Sequence, residues 1–290
     1  MTRLTRTSLL VLAACGGSQH TGQAAHAVLS IAADDRMITV PAGQYIAGST
    51  PEERAAAYDD YQQTSGRDTA RENKWFDHEE DRRLTELPAF RIDLMPVTQS
   101  QYAEMVIAGQ AKPPTMDEAT WKAQGFNQDF AEVTRFIWKD GRPPHGREDH
   151  PVVLVTHAEA ASYCAWRGAQ RGQKRRLPTA AEYEKVSRGD GGLTYPWGNA
   201  FEADKLNSAV KGPKDTTPAG QFNDGASPFG VLELAGNVFQ WTSTPEHGDR
   251  MVVKGSAWED FAGLGRGAAF HGRPKQARHV IVGFRCAADP

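Results

Sequence analysis

The spacing of hydrophobic and polar positions changes part-way along the chain. In the first two thirds, apolar residues recur at helical spacing after three capping sequences, which open at Thr98, Thr156 and Thr179. In each, a glutamate or glutamine follows the threonine three residues later, so that each side chain can accept a hydrogen bond from the other residue's backbone N–H. The pattern predicts three helices, of which the second ends near Gly168 and the third near Gly189.

After Gly189 the apolar runs become short, and turn residues recur every few positions. The runs are residues 195–199, 229–232, 252–255 and 279–286. Residues 37–48 have the pattern of two strands around a Pro/Gly turn, and residues 90–93 alternate like a strand. These patterns predict short strands joined by loops. No linker divides residues 36–290 and no fixed-period repeat is present, so we expect one domain.

Residues 51–89 interrupt the pattern with charge. Of the 35 residues from 52 to 86, 17 are Asp, Glu, Lys or Arg. Residues 55–61 have a helical pattern, and most of the segment is predicted to be a surface insertion.

The composition is that of a globular protein with a sizeable core. The chain has 290 residues, of which 39% are hydrophobic and 24% charged, and its formal net charge is −3. Such a chain can bury a core. It offers no basic surface, so we expect no nucleic-acid partner.

The first residues have the layout of an export signal. Arg3 and Arg6 precede the short apolar run 9–14, which meets Cys15 in the order Leu-Ala-Ala-Cys. The run is too short to span a bilayer, and it is similar to a bacterial lipobox. We interpret residues 1–14 as a lipoprotein signal peptide. The alternative is an ordinary cleaved signal beside an incidental cysteine.

On the lipoprotein interpretation, Cys15 carries the lipid and residues 15–35, which are polar and rich in small side chains, form a tether. The chain would then be exported and anchored to a membrane of the bacterial cell envelope, facing the periplasm or the surface. Gly16 lacks the acidic side chain that retains lipoproteins at the inner membrane in some bacteria, which favours the outer membrane.

Two further cysteines, Cys164 and Cys286, remain in the predicted mature chain. An even pair in an exported protein indicates a disulfide. It would close a loop of about 120 residues and contribute up to ~5 kcal/mol in the chain-entropy model. The alternative is a pair of buried thiols.

A series of short motifs follows in a fixed order. They are Val97-Thr98-x-x-Gln101-Tyr102, His150-Pro151-Val152-Val153, Tyr163-Cys164-x-Trp166, Arg176-Leu177-Pro178-Thr179-x-x-Glu182-Tyr183-Glu184, Tyr195-Pro196-Trp197-Gly198-Asn199, Gly230-Val231-x-x-x-x-Gly236-Asn237-Val238-x-x-Trp241, Lys254-Gly255-Ser256 and Gly283-Phe284-Arg285-Cys286. This order resembles the formylglycine-generating enzyme, or sulfatase-modifying factor, family across nearly all of residues 37–288. The resemblance implies a single compact, loop-rich α+β domain related to C-type lectins, with little regular secondary structure. It also implies that Cys164 and Cys286 are joined.

The chain departs from this family at its catalytic cysteines. Active members place two cysteines shortly after the residues that match Gly255 and Ser256, and these thiolates bind copper for the oxidation of a substrate cysteine by oxygen. Here Glu259 and Leu264 occupy those positions. Copper(I) requires soft ligands such as thiolates. We therefore expect no thiolate-bound copper and no sulfatase activation by that mechanism.

The resemblance implies two calcium sites, each kept in part. The positions that match one site are Glu233, Gly236, Val238 and Gln240. The first three supply carbonyls, and the amide of Gln240 stands where the family has an acid, which lowers the affinity for calcium. In the other site, Asn207 and the Ser208 carbonyl match, but residues 211–214 lack the expected acid. Calcium is therefore the candidate cofactor.

A polar cluster lies in residues 255–279, which line the substrate groove in this family. Its members are Ser256, Trp258, Glu259, Asp260, Arg266, His271, Arg273 and His279. One interpretation is a remodelled catalytic pocket with Glu259 or Asp260 as base and His271 as its partner, while the other five contact a substrate or partner. A second places iron or zinc on Asp260, His271 and His279. The third is a set of solvated loop residues in ion pairs.

Two classes of function remain open. The first is an enzyme, a divergent oxidase or tailoring enzyme that uses the groove of residues 255–279. The second is a non-catalytic, lectin-like module that binds an exported peptide, protein or glycan. A bound transition metal or turnover with oxygen would favour the enzyme, and metal-independent affinity for a partner would favour the module. The iron-dependent sulfoxide-forming subgroup is disfavoured because residues 51–150 contain no His-x-x-x-His.

Overall fold

The computed structural model describes residues 35–126 and 128–290. The predicted signal peptide 1–14, the predicted lipidation site Cys15 and all of the predicted tether 15–35 except Asp35 lie outside the described residues. Within the described ranges, no helix combines the length and the apolar character that crossing a membrane requires.

Seven α-helices form in the described residues, and most are short. They are α1 (Pro51–Ser65), α2 (Thr69–Glu72), α3 (Gln99–Ile107), α4 (Glu118–Ala123), α5 (Phe130–Val133), α6 (His157–Gln170) and α7 (Ala180–Arg188). The three predicted capping boxes are confirmed, with both hydrogen bonds formed at Thr98, Thr156 and Thr179. A fourth box, Thr50 with Glu53, opens α1 and was not predicted.

The predicted end of α7 near Gly189 is confirmed, and α6 ends two residues beyond the predicted position near Gly168. Gly189 caps α7 with φ 64°. Gly168 lies inside α6, which continues to residue 170. The glycine allows the backbone of Gln173 to approach α6 closely, because a Cβ at Gly168 would lie 2.6 Å from the carbonyl oxygen of Gln173.

Ten short strands form three sheets. They are β1 (Met37–Val40), β2 (Gly43–Ala47), β3 (Arg83–Leu87), β4 (Phe90–Asp93), β5 (Arg175–Arg176), β6 (Phe239–Pro245), β7 (Arg250–Lys254), β8 (His271–Pro274), β9 (Val282–Gly283) and β10 (Ala287–Ala288). The sheet orders are β1-β4-β10-β5, β2-β3 and β8-β7-β6-β9. All pairings are antiparallel except β6 with β9. The predicted α+β class with short elements is confirmed, although residues 195–199 and 229–232 form loops without a named strand.

The largest hydrophobic cluster lies between α3, α6 and the sheet that contains β6. Tyr102, Tyr163 and Phe284 pack there with ring centroids 5.4–6.4 Å apart. Cys164 of α6 and Cys286, the residue before β10, are both fully buried in this cluster and form a disulfide. The predicted pairing is confirmed, so the middle of the chain is tied to its last strand.

Residues 51–89 are more than a surface insertion, because one side of the segment is buried. Ala57, Tyr58 and Tyr61 of α1 pack with Phe76 and with Leu264 of the distant loop. The helical spacing of the two tyrosines puts them on one face of α1. Most of the charged side chains lie on the outward face, Glu79 is buried, and the apolar residues between them anchor the segment to the domain.

Candidate functional site

Two adjoining cavities form a groove beside β8, the edge strand of the β8–β7–β6–β9 sheet. Their volumes are about 430 and 450 Å³, and both are lined by Gly125, Phe126 and Arg273. The first cavity also contains Glu259 and His279. We refer to these two cavities together as the groove.

The carboxylate of Glu259 forms part of the groove wall. Both of its oxygens accept hydrogen bonds from Gln128 Nε2, at 2.9 and 2.8 Å. Burial raises the pKa of Glu259 above its ordinary value, and the bond from Gln128 opposes that rise. The position that the motif resemblance matches to a family cysteine therefore holds a carboxylate that Gln128 fixes.

Arg273 of β8 brings positive charge to the same wall. The guanidinium carbon lies 5.9 Å from the centre of the Phe239 ring. Burial lowers the pKa of Arg273, and the negative charges of Asp260 and Glu259 act against that shift. Its buried Nε has no hydrogen-bond partner among the described residues. A buried donor left without an acceptor is costly, so this side chain is suited to receive an acceptor from a bound molecule.

His279 supplies a neutral imidazole. Its ring lies 4.0 Å from the ring of Phe126 and 5.2 Å from that of Trp121, measured between centroids. Burial lowers the pKa of His279 to about 3. Its Nδ1 accepts a hydrogen bond from the backbone N–H of Ile281 at 3.2 Å, so the proton of the neutral ring is on Nε2. His279 can therefore donate one hydrogen bond.

Three residues of the predicted cluster hold the loop together instead of lining the groove. Ser256 Oγ accepts from the backbone N–H of Gly236 at 3.0 Å. Asp260 accepts from the backbone N–H of Ala257 at 2.8 Å. Trp258 is buried, with the guanidinium of Arg135 at 5.8 Å from its ring.

The predicted pairing of Glu259 or Asp260 with His271 is not formed. The His271 ring packs edge-on against Phe239 at 5.4 Å and Trp75 at 6.2 Å, and burial lowers its pKa to about 3. His279 is the histidine that shares the groove with Glu259. The proposed metal set of Asp260, His271 and His279 is also not assembled, because the described residues contain no group of three or more such ligands in metal-binding range.

Arg266 faces the opposite side of the loop. Its guanidinium pairs with the carboxylate of Glu79, and both side chains are almost fully buried. Leu264 packs nearby against α1. The two positions that match the family's cysteines therefore have different surroundings, Glu259 in the groove and Leu264 in the core under α1.

The two candidate calcium sites differ in their fit to a cation. At the first, Gln240 Oε1 and the carbonyl of Glu233 accept hydrogen bonds from Arg285, and Gln240 Nε2 donates to the same carbonyl at 2.8 Å. A guanidinium already occupies these oxygens, so this set does not fit calcium. At the second, within the part of the chain that is described, Asn207 Oδ1 and Ser208 Oγ are buried without hydrogen-bond partners. Those oxygens fit a hard cation.

Nothing in the sequence indicates the groove residues that lie outside residues 255–279. Gly125, Phe126 and Gln128 lie in the polar stretch between α4 and α5. Their contacts with Glu259 and His279 span more than 130 residues of sequence. A motif-based reading has no local signal for such a pairing.

Asp260 makes stability depend on pH. Burial, together with the charge of Glu259, raises the pKa of Asp260 to about 7. The folded state then binds more protons than the unfolded state between pH ~4, the ordinary pKa, and pH ~7, so the stability present at acid pH is lost as the pH rises. We therefore expect the Tm of Asp260→Asn, measured relative to that of wild type, to increase as the pH rises from ~4 to ~7. Thermal unfolding at a series of pH values measures this, and parallel curves for the two proteins would contradict it.

Comparison with known proteins places the fold in a family. The model of the sulfatase-modifying factor enzyme 1-like domain matches residues 27–290. The chain belongs to this family. The resemblance in the motifs is thereby confirmed, and the match is consistent with a divergent member.

Relatives in this family carry different activities. "Inactive C-alpha-formylglycine-generating enzyme 2" of Mus musculus is 30% identical over 306 residues, covering 90% of this chain and 88% of the relative. "Hercynine oxygenase" of Mycolicibacterium smegmatis is 28% identical over 77% of this chain, which spans only 58% of that protein. The solved structure of PvdO from Pseudomonas aeruginosa matches with a TM-score of 0.66 at 20% identity, covering 88% of this chain and 94% of PvdO, and shows the shared fold.

Proposed function

We propose that this chain is a ligand-binding member of the family, whose groove binds a peptide, protein or glycan partner and forms no thiolate copper centre. The observation that carries the proposal is the carboxylate of Glu259, held by Gln128 at the position of a family thiolate. The chain has three cysteines. Cys164 and Cys286 are joined in the disulfide, so neither offers a thiolate for copper. The third, Cys15, lies outside the domain.

The charges in the groove support a polar ligand. Glu259 offers carboxylate oxygens, Arg273 offers guanidinium donors and His279 offers one N–H within the same cavity. Phe126 and Ile281 add apolar surface beside them. A few placed polar groups on an apolar wall are typical of ligand sites. The similarity to a relative named inactive is consistent with binding without turnover.

The location of this activity is part of the proposal. The lipobox at Cys15 supports an exported lipoprotein anchored by its lipid in the cell envelope, with the outer membrane as the membrane partner. Loss of fatty-acid labelling in Cys15→Ser is the outcome that supports the anchor, and labelling of that variant would refute it.

Removing the Arg273 guanidinium is the sharpest test of the groove. Peptides selected on the wild-type protein from a displayed random library should bind Arg273→Met at least tenfold more weakly, because a charge-assisted hydrogen bond contributes about 1.5–3 kcal/mol. Titration calorimetry gives the affinities. The matched control is Arg71→Met, which removes an arginine that pairs with Asp59 and Asp68 at the surface and lies outside the groove and the other cavities. Equal losses in the two variants, or selected peptides that bind both as tightly as wild type, would refute the groove as the binding site.

A second candidate is a divergent oxidoreductase that uses the same groove. Glu259 has a raised pKa, and the neutral His279 stands in the same cavity, an arrangement typical of acid–base chemistry. The similarity to a hercynine oxygenase points in the same direction. Oxygen consumption that requires added iron or copper and is lost in Glu259→Gln would establish this candidate over simple binding.

Calcium remains a proposed cofactor at one place. Asn207 Oδ1 and the carbonyl of Ser208 would hold it, and Gly212 leaves room beside them, since a Cβ there would lie 2.4 Å from that amide oxygen. The ion would fix the loop that follows Leu206. It has no part in the chemistry proposed for the groove.

A further inference from the structure

A third cavity, separate from the groove, lies between the β2–β3 hairpin, α7 and the end of β7. Its volume is about 370 Å³, within the range of small-molecule sites. It shares no lining residue with either cavity of the groove. We refer to it as the Lys254 cavity, because the last residue of β7 reaches into it.

Lys254 is a buried cation without an acceptor. The residue is 2% exposed. In residues 35–126 and 128–290, its Nζ donates no hydrogen bond and forms no ion pair, and it lies 6.0 Å from the centre of the Phe270 ring. Burial lowers the pKa of Lys254, and the charges of Glu184 and Glu79 act against that shift. A buried ammonium without a partner is costly, so the arrangement is expected only where something else satisfies the charge.

The carboxylates around the cavity are already engaged by arginines. Glu184 Oε1 accepts from Arg188 Nη1 and from the backbone N–H of Gly48, each at 2.8 Å. Glu80 pairs with Arg83 in the same wall.

The third lining carboxylate, Glu246, pairs with Arg250 at 2.9 Å. The charge that lacks a partner in this cavity is therefore the positive charge of Lys254. This unpaired positive charge favours the binding of an anion in the Lys254 cavity.

The rest of the lining suits an anion that carries an apolar body. Val252, Phe270 and Tyr45 form apolar surface beside the ammonium. Thr85 lines the same cavity, and within the described part of the chain its buried Oγ1 has no hydrogen-bond partner. A hydroxyl can donate to an oxyanion. Lys254 and Thr85 thus offer two donors without acceptors beside the apolar surface of these side chains.

We propose that the Lys254 cavity binds a small organic carboxylate, whose oxygens accept hydrogen bonds from Lys254 Nζ and Thr85 Oγ1 and whose apolar part lies against Phe270 and Val252. The site is independent of the groove and of the function proposed for it. A charge-assisted hydrogen bond to a desolvated ammonium is among the stronger polar contacts, and it distinguishes a carboxylate from a neutral amide of the same shape.

The test compares matched acids and amides on the intact domain. Phenylacetate and hexanoate are titrated calorimetrically against phenylacetamide and hexanamide. We expect each carboxylate to bind the wild-type protein at least ~tenfold more tightly than its amide. The same preference should be unchanged in Lys205→Met, whose lysine pairs with Glu202 on the surface.

Lys254→Met keeps the length of the side chain and removes its charge. We expect the variant to bind acid and amide equally, with thermal unfolding as the check that it folds. Thr85→Val should weaken carboxylate binding several-fold and leave the amide unaffected. If wild-type protein shows no preference for either carboxylate over its amide, or if Lys254→Met keeps the preference, the proposal is wrong. The wild-type comparison decides the matter even if a variant fails to fold.

Discussion

Replacing Cys164 and Cys286 together by alanine lowers the free energy of unfolding by about 4–5 kcal/mol. The two residues are 122 positions apart in sequence, so the bond removes a large loop-closure entropy from the unfolded chain. Both side chains are fully buried in the largest hydrophobic cluster, so the smaller alanines also leave space there. For a domain of marginal stability, this is a large share of the total.

Urea unfolding of oxidised wild type and of the double variant measures the difference. Wild type kept in reductant should approach the variant, because it loses the same constraint on the unfolded state. Cys15→Ala is the matched control, since it removes a cysteine and leaves the disulfide intact, and it should unfold with the wild-type midpoint. A double variant that loses less than about 1 kcal/mol would mean that the unfolded chain gains little freedom when the bond is absent.

The features that the sequence predicts correctly are those with a local cause. A capping box needs only two side chains three residues apart, and the boxes at Thr98, Thr156 and Thr179 all form. The disulfide is predicted because few cysteines are present to pair. The α+β fold follows from a long ordered series of motifs, each of which is weak by itself.

The features that the sequence does not predict depend on contacts between distant segments. Glu259 meets Gln128 across 131 residues, and no periodicity marks that partner. His271 has the chemistry of a catalytic group, but its ring packs against Phe239 and Trp75. Packing decides which side of the loop each residue faces. Some residues of the cluster 255–279 therefore line the groove, and others lie in the core under α1.

Lys254 is another residue whose proposed role cannot be predicted from the sequence. As part of a Lys-Gly-Ser motif it carries the family resemblance, and in the sequence it has no feature of a binding residue. Its significance comes from the neighbouring carboxylates, which arginines already occupy. An unpaired buried charge is a property of the folded chain, and only the structure reveals it.

Arg266→Met is expected to destabilise the domain by about 3–5 kcal/mol, because it leaves the buried carboxylate of Glu79 without its counter-ion. The side chains of Arg266 and Glu79 are 3% and 1% exposed. Ser49 Oγ, which donates to Glu79 at 2.6 Å, would then be the only side-chain donor that the described residues offer to that carboxylate. The guanidinium also packs over the ring of Phe76 at 4.8 Å, so the change removes a contact as well as a charge.

The location of this pair gives the prediction a second, local readout. Glu79 belongs to the segment that follows α2, and Arg266 belongs to the loop that carries Glu259 and Leu264. Hydrogen exchange should therefore rise first in α1 and α2, since the pair joins them to that loop. Arg83→Met, which breaks a surface pair with Glu80, is the matched control and should change stability by less than about 1 kcal/mol. If Arg266→Met is no less stable than this control, the charged segment is held by its aromatic face alone, and the buried ion pair adds nothing to its attachment.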